Sequence, residues 1–183
     1  MLAPAQAWEI LESAEQVCSA ATVARAVQRI AKDITRVLVD CNPLVLSVMS
    51  GAVMFTGRLL PMLRFPLSFD YMHLTRYRNT THGGRIEWKV FPHEAIAGRV
   101  VLVVDDILDE GDTMLEIRTR VLAAGAKRFY CAVFADKDIG RPKPVAADFV
   151  GLPLPNRYVF GFGMDVHGAW RNLPEIYAVK REA

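Results

Sequence analysis

The sequence predicts an α/β fold in which helices cover both faces of a mostly parallel sheet. Three observations favour this fold class. Strand patterns and helix patterns alternate along the chain, and the aliphatic run at residues 100–104 is typical of a strand that is buried on both faces. That run is followed within a few residues by a glycine turn and a helix pattern. Because ligands bind beyond the carboxyl ends of the strands in such sheets, we expect the functional site there.

The first part of the chain carries two helix patterns and one strand pattern. Residues 5–18 are weakly helical, whereas a second stretch keeps its apolar residues on one helical face, and we place its N-terminal cap at Thr22. The apolar residues of that stretch are Val23, Val27, Ile30, Ile34, Val37 and Leu38. Residues 44–48 then predict a short buried strand, which is followed by a turn and another helix.

The middle of the chain predicts a hairpin with a long polar connection. Residues 67–74 and 85–90 are strand-like, and residues 75–84 between them have no core-forming pattern. A structureless connection of this length is more often a functional lid than a plain link. Because the segment contains Arg76 and Arg78, we expect a mobile loop that closes over phosphate groups.

Acidic residues follow the central aliphatic run. We expect the strand to end where Asp105 and Asp106 begin, and a helix to start after Gly111 with a capping box made by Thr113 and Glu116. A glycine turn that opens a helix presents backbone N–H groups and the positive end of the helix dipole to an anion. The sequence therefore predicts a phosphate site at this turn.

The carboxylates beside this turn narrow the choice of ligand. They would repel a phosphate unless they served hydroxyl groups, a metal ion or a cationic transition state, and a sugar phosphate combines all of these features. The alternative is an ordinary strand-to-helix turn with solvated acids.

A second aliphatic strand, at residues 128–135, ends in Asp136, Lys137 and Asp138. Parallel strands bring their carboxyl ends to one edge of the sheet, so these side chains are expected beside Asp105. A lysine at such a position is either a solvated strand end or a contact to a ligand.

Composition favours small-molecule chemistry. The chain has 183 residues, 52% of them apolar, which is enough for one well-buried core and too short for two ordinary domains. A net charge of +2 indicates neither a nucleic-acid footprint nor a membrane patch. The three cysteines have no Cys-x-x-Cys spacing, and no apolar run approaches the roughly 20 residues of a membrane span, so we expect a reduced, cytoplasmic setting.

The string Asp105-Asp106-Ile107-Leu108-Asp109-Glu110-Gly111-Asp112-Thr113 closely resembles the phosphoribosyl-diphosphate (PRPP) motif of type I phosphoribosyltransferases. In that motif two acids, two apolar residues, Asp, a variable residue, Gly, a variable residue and Thr follow an aliphatic strand. The resemblance covers roughly residues 20–180 and is to the hypoxanthine-guanine type, which acts in purine salvage. It implies the type I phosphoribosyltransferase fold, PRPP and a 6-oxopurine base as substrates, and Mg²⁺ as cofactor.

The resemblance also implies a role for each part of the motif. Asp105 and Asp106 would hold the ribose hydroxyls, directly or through magnesium, and Asp109 would be the catalytic residue that exchanges a proton with purine N7. One loop would cradle the 5-phosphate, and its residues are Glu110, Gly111, Asp112 and Thr113. Because the family commonly has Thr at position 110, we expect the Glu110 side chain to point away from the phosphate.

Two further segments match places where the family binds pyrophosphate. Ser50 and Gly51 fall at a turn that carries a strained cis peptide in purine phosphoribosyltransferases, although the family often has Lys where this chain has Ser50. Arg76 and Tyr77 stand where the flexible lid of the family has a Ser-Tyr pair. The tyrosine is retained and the serine is not.

The last matching segment covers residues 157–171, which resemble the hood and metal-binding segment of the family. By this resemblance Tyr158 stacks on the purine ring and Val159 offers backbone groups to its edge. Asp165 would lie near magnesium and the purine, and Arg171 would reach pyrophosphate. Lys137 would donate to the 6-oxo oxygen of the base. The alternative roles are a core aromatic residue for Tyr158, a turn acid for Asp165, a surface cation for Arg171 and a solvated strand end for Lys137.

We therefore expect a single phosphoribosyltransferase domain over residues 1–183, with a small hood formed by the N-terminal residues and by residues from about 145 to 183. The expected assembly is a homodimer or homotetramer that binds neither nucleic acid nor a membrane. Two other functions stay open. One is an enzyme of the same fold that acts on xanthine, adenine or a pyrimidine, and the other is a non-catalytic regulator that senses PRPP.

Overall fold

The computed structural model describes residues 2–77 and 85–180. Its helices are α1 (Pro4–Ser13), α2 (Ala20–Leu38), α3 (Val53–Leu59) and α4 (Asp112–Ala123), with a short 3-10 turn at Leu60–Met62. Its strands are β1 (Glu15–Cys18), β2 (Leu44–Met49), β3 (Ser68–Tyr77), β4 (Arg85–Val90), β5 (Val100–Leu108), β6 (Arg128–Lys137), β7 (Phe149–Leu154), β8 (Val159–Phe160) and β9 (Ile176–Ala178). No helix within the described ranges is long and apolar enough to cross a membrane.

The main sheet has the strand order β4-β3-β2-β5-β6-β7. All neighbours pair in parallel except β4, which is an antiparallel edge strand. The predicted mostly parallel sheet is therefore confirmed. Since β2 has β3 on one side and β5 on the other, the direction of winding reverses between β2 and β5. A crevice at the carboxyl ends of such a strand pair is the usual ligand site of an open α/β sheet.

Alternate residues of the main sheet face two separate cores, because successive side chains of a strand point to opposite faces. Leu102 and Val104 of β5 pack in the core that contains α2 and α3, whereas Val101 and Val103 pack in the core that contains α4. The prediction that helices cover both faces is confirmed.

A second, smaller sheet combines the two ends of the chain. Its order is β1-β9-β8, and both pairings are antiparallel. Phe162, Met164 and Ile176 of this region are buried in the same core as α2, so the small sheet rests on the main one. β7 still belongs to the main sheet, and the C-terminal contribution to the small sheet begins only at Val159.

Two predictions at the N-terminal end are wrong. Residues 15–18 do not continue the first helix but form β1, which gains a ladder partner in β9. The N-terminal cap of α2 is Ser19 rather than Thr22, because the Ser19 hydroxyl accepts the Thr22 N–H.

Three predictions around the central strand and the hairpin are also corrected. β5 does not end at Asp105 but continues through Leu108, since its parallel pairing with β6 carries on past the acids. α4 has no capping box, because its N-cap is Gly111 and no side chain in the described part of the chain caps it. β3 extends to Tyr77, so residues 75–77 are strand rather than loop. The rest of the predicted lid, residues 78–84, lies outside the described residues.

Candidate active site

A cleft of about 500 Å³ opens at the carboxyl ends of β2 and β5. It brings together most of the residues that sequence reasoning selected, although they come from separate parts of the chain. The selected residues that line it are Ser50, Gly51, Asp105, Asp106, Asp109, Glu110, Gly111, Asp112, Thr113, Asp165 and Arg171. The winding reversal of the sheet thus places the PRPP-like motif, the turn after β2 and the C-terminal segment around one space.

The remaining selected residues lie around this cleft rather than in its lining. Lys137 ends β6, and its Nζ donates to Asp109 Oδ2 at 3.2 Å. Tyr158 is 52% exposed beside the small sheet, whereas Val159 is buried in β8. Arg76 and Tyr77 fall in the last two positions of β3, but their side chains lie outside the described part of the structure.

Asp105 and Asp106 form a buried carboxylate pair. Only 8% of Asp105 and 13% of the Asp106 side chain are exposed. Burial, reinforced by the neighbouring Asp106 carboxylate, raises the pKa of Asp105 well above its ordinary value. Burial also raises the pKa of Asp106, opposed by its hydrogen bond with Asp105 and by the charge of Arg171. Two negative charges held this closely are costly without a partner, so the pair is suited to hydroxyl groups or a cation.

Replacing Asp105 with Asn is expected to stabilise the substrate-free protein at neutral pH. The folded pKa of Asp105 is raised, so the native state holds this proton more tightly than the unfolded chain, and stability falls as the pH rises from 3.8 through the raised value. Asn carries no charge, and its side-chain oxygen can still accept the Asp106 N–H that Asp105 Oδ1 accepts at 2.9 Å.

Thermal melts of the wild type and the Asp105→Asn variant between about pH 4 and pH 8 check this prediction. The variant should melt higher at pH 8, and the difference should shrink toward pH 4. A change of 1 kcal/mol moves the melting temperature by about 2–4 °C in a chain of this size, which is readily measured. Equal melting temperatures throughout would show that the pair carries no such cost.

Arg171 links the C-terminal segment to the acidic strand. Its Nη2 is ion-paired with Asp165 Oδ1, and its Nη1 lies 3.9 Å from Asp106 Oδ2. Its guanidinium also donates to the Gly163 carbonyl, and the Gly163 N–H donates to the Arg171 carbonyl at 2.9 Å. A guanidinium held at the edge of the cleft can exchange a carboxylate for a diphosphate without any change in its own charge.

Two glycines permit the close approach of these segments. A Cβ on Gly51 would lie 2.2 Å from Asp106 Oδ2, and a Cβ on Gly163 would lie 2.2 Å from the Gly51 carbonyl oxygen. Gly163 also has φ of +103°, which side chains rarely adopt. The peptide bond between Met49 and Ser50 is cis, as the resemblance implies. A side chain at Gly51 would push the turn after β2 away from Asp106, and a side chain at Gly163 would push the C-terminal segment away from that turn.

The turn at Gly111 leads directly into α4, which begins at Asp112. The first-turn N–H groups of a helix have no acceptor within the helix, and Thr113 and Met114 of this turn line the cleft. Glu110 also lines it, and its Oε1 lies 3.9 Å from Arg141 Nη2 in the loop after β6. The turn thus has the form of an anion site.

Sequence reasoning missed two polar residues of β3 that line the cleft, His73 and Thr75. The Thr75 hydroxyl oxygen is buried and has no hydrogen-bond partner among residues 2–77 and 85–180. The parallel register, in which Met49 pairs with His73, brings the end of β3 to the same edge as the turn after β2. The sequence does not show that β3 runs parallel to β2, so it could not place these two residues at the cleft.

The carboxylates of the cleft fit one mode of binding for the implied Mg²⁺. Within the described residues no group of three or more His, Cys, Asp and Glu side chains could hold a metal ion alone. Mg²⁺, however, usually keeps several waters and binds one or two carboxylates together with substrate phosphates. The buried carboxylates of Asp105 and Asp106 fit that mode, whereas the Asp165 carboxylate is paired with Arg171.

Comparison with known proteins identifies the family. The profile of the phosphoribosyl transferase domain matches residues 13–167. This chain belongs to that family. The hypoxanthine-guanine-xanthine phosphoribosyltransferase of Tritrichomonas foetus is 34% identical to this phosphoribosyltransferase over 159 residues, which are 86% of this chain and 87% of the relative.

Two further proteins similar to this chain are also phosphoribosyltransferases. A hypoxanthine-guanine phosphoribosyltransferase of Streptococcus pyogenes serotype M3 is 29% identical over 161 residues, 87% of this chain and 89% of the relative. A solved structure of a hypoxanthine-guanine-xanthine phosphoribosyltransferase is 31% identical, has a TM-score of 0.82, and covers 93% of this chain and 99% of its own. The family and fold expected from the PRPP-like motif are confirmed.

Proposed function

We propose that this phosphoribosyltransferase transfers the 5-phosphoribosyl group from PRPP to hypoxanthine or guanine, giving IMP or GMP and pyrophosphate. The observation that carries the proposal is the pair formed by Asp109 and Lys137. These residues directly follow Leu108 and Asp136, which are register partners at the ends of β5 and β6. The pair therefore lies at the carboxyl ends of β5 and β6, beside the acidic cleft.

The chemistry of this pair is complementary to one edge of a 6-oxopurine. Guanine and hypoxanthine carry the 6-oxo oxygen next to N7 on the same edge. The Lys137 ammonium can only donate, which suits the oxygen, and the Asp109 carboxylate can accept a proton from N7. Adenine has an amino group at position 6, which would set a donor against the Lys137 ammonium. The pair therefore favours 6-oxopurines over adenine.

In the proposed reaction the purine nitrogen N9 forms a bond to ribose C1 as the bond from C1 to pyrophosphate breaks. The sugar gains positive character at this moment, and the carboxylates of Asp105 and Asp106 stabilise it while they hold the ribose hydroxyls. Asp109 takes the proton from N7, which leaves the base neutral in the nucleotide. Mg²⁺, when bound by Asp105 and Asp106, neutralises charge on the leaving diphosphate.

The phosphate groups of PRPP have separate places in this proposal. The 5-phosphate binds the N–H groups of the turn at residues 110–113. Pyrophosphate binds at Ser50, Gly51 and Arg171. Arg76 and Tyr77 would add contacts from the hairpin.

The small sheet provides the hood over the base. Tyr158 would stack on the purine, which its exposure supports, and Val159 and Asp165 would lie at the edge of the base and the metal. The homodimer or homotetramer and the cytoplasmic location expected from the sequence stay predictions.

An assay of purified protein with PRPP, Mg²⁺ and single bases tests the proposal. Nucleotide should form from hypoxanthine and guanine, far less should form from adenine, and none should form from uracil. Xanthine is the second candidate substrate, because the names of the Tritrichomonas foetus relative and of the 31% identical structure include it. Absence of product with all three 6-oxopurines would contradict the proposal and favour a PRPP-sensing regulator.

A further inference from the structure

The loop between β6 and β7 carries a lysine that the proposed reaction does not use. The Lys143 side chain is only 11% exposed. Its Nζ donates to the Leu108 carbonyl oxygen at 2.6 Å and to the Asp136 carboxylate. A buried ammonium with a carboxylate and a carbonyl as partners makes charge-assisted hydrogen bonds, which are among the stronger ones in proteins.

The two partners of Lys143 are themselves paired. Leu108 and Asp136 face each other in the register of β5 and β6. The next residue of each strand end is a member of the base-recognition pair, Asp109 and Lys137. Lys143 thus ties the two strands together one residue before the groups that would contact the purine.

The same loop also touches the phosphate turn. A Cβ on Gly111 would lie 3.1 Å from Pro144 Cδ and 3.4 Å from Lys143 Cβ, so residues 143 and 144 pack against Gly111. Gly111 has φ of +92°, and its bare Cα leaves room for this contact. Lys143 and Pro144 therefore contact the chain on both sides of Asp109, at Leu108 and at Gly111.

We propose that Lys143 is a positioning residue, whose ammonium holds the ends of β5 and β6 so that Asp109 and Lys137 meet the purine edge correctly. This inference rests on the proposed function. Removing the ammonium leaves the Leu108 carbonyl and the Asp136 carboxylate without this donor and frees the strand ends to separate. Small displacements of catalytic groups reduce rates strongly, because the reacting atoms must be aligned.

The first test measures the stability of the two strand ends by hydrogen exchange and does not depend on enzymatic activity. Lys143→Met removes the ammonium but keeps most of the length, and Lys143→Arg keeps a cation. Lys127→Met is the matched control, since Lys127 is exposed and lies before the opposite end of β6. Hydrogen exchange of the substrate-free proteins should be faster at residues 107–109 and 136–138 in Lys143→Met alone. Lys143→Arg should restore part of the protection.

The second test is kinetic. With guanine and PRPP, Lys143→Met should raise KM for guanine and lower kcat, with a combined loss in kcat/KM of roughly 10- to 100-fold, because a displacement of about 1 Å at a catalytic group can cost about 100-fold. The dissociation constant of PRPP should not change. A loss of stability alone would lower the active fraction and leave KM unchanged. Asp136→Asn should have a similar effect, and the double variant should be no worse than either single one.

Two results would overturn the inference. One is unchanged exchange at both strand ends in Lys143→Met, and the other is an unchanged guanine KM together with wild-type turnover per folded molecule. Failure of the proposed function is a separate outcome. In that case the wild type makes no nucleotide from any 6-oxopurine, whereas the exchange experiment still reports whether Lys143 holds the two strand ends.

Discussion

An Asp109→Asn variant is expected to bind PRPP normally and to turn over roughly 10²–10⁴ times more slowly than the wild type, which is the usual contribution of a positioned acid or base. Asn has the size of Asp but cannot take the proton from N7. Asp109 directly follows β5 and accepts a hydrogen bond from Lys137, so the Asn oxygen can keep that contact. Steady-state kcat with guanine and calorimetric PRPP binding measure the two quantities.

The matched control is Asp138→Asn, which changes an exposed carboxylate one residue beyond Lys137. Asp138 Oδ1 accepts the Gly140 N–H at 2.9 Å, and Asn can replace it there. This variant should keep wild-type kcat. A near-normal kcat in Asp109→Asn would exclude Asp109 as the base, and a loss of PRPP binding equal to the loss of rate would assign it to the ribose or the phosphates instead.

The fold could be predicted because its main sheet follows from local patterns. Runs of aliphatic residues such as 100–104 are long enough to be buried on both faces, and helix patterns separate them. Alternation of β and α elements leaves few topologies besides a parallel sheet covered on both sides. The amphipathic pattern of α2 marked a helix that does bury its apolar stripe, with Val37 as the exposed exception.

Element boundaries were less predictable because tertiary pairing decides them. β5 carries Asp105 and Asp106 within the strand, since the ladder with β6 continues to Leu108 and Asp136. A charged residue normally marks the end of a buried strand. Here the strand continues past two acids because their side chains line the cleft. β1 likewise exists only because β9, from the other end of the chain, pairs with it.

The candidate site was predicted to different depths in its different parts. The acids and the glycine turn indicated a sugar-phosphate site from their chemistry alone, whereas Ser50, Arg171 and Lys137 were selected by resemblance. Nothing local marks Lys143 or Thr75, because their positions depend on how the loop after β6 and the strand β3 fold against neighbours. Long-range geometry of this kind leaves no periodic signal in the sequence.

A Lys137→Ala variant is expected to lose 6-oxopurine use while it keeps PRPP binding. Lys137 is largely buried, with 13% of its side chain exposed, and a hydrogen bond from a charged group contributes roughly 1.5–3 kcal/mol. That range corresponds to a fall in kcat/KM of about 10- to 150-fold for guanine and hypoxanthine. Adenine makes no such bond, so its low kcat/KM should not fall further. The ratio of kcat/KM for guanine to kcat/KM for adenine should therefore decrease by the same factor. Competition assays with guanine and adenine, together with calorimetric PRPP binding, measure both effects.

Lys127→Ala is the matched control for this variant, because Lys127 is an exposed lysine just before the other end of the same strand. This variant should leave kcat/KM for both bases and the binding of PRPP unchanged. If PRPP binding falls as far as guanine use, Lys137 is a phosphate contact, and the pairing of Lys137 with the 6-oxo oxygen is wrong.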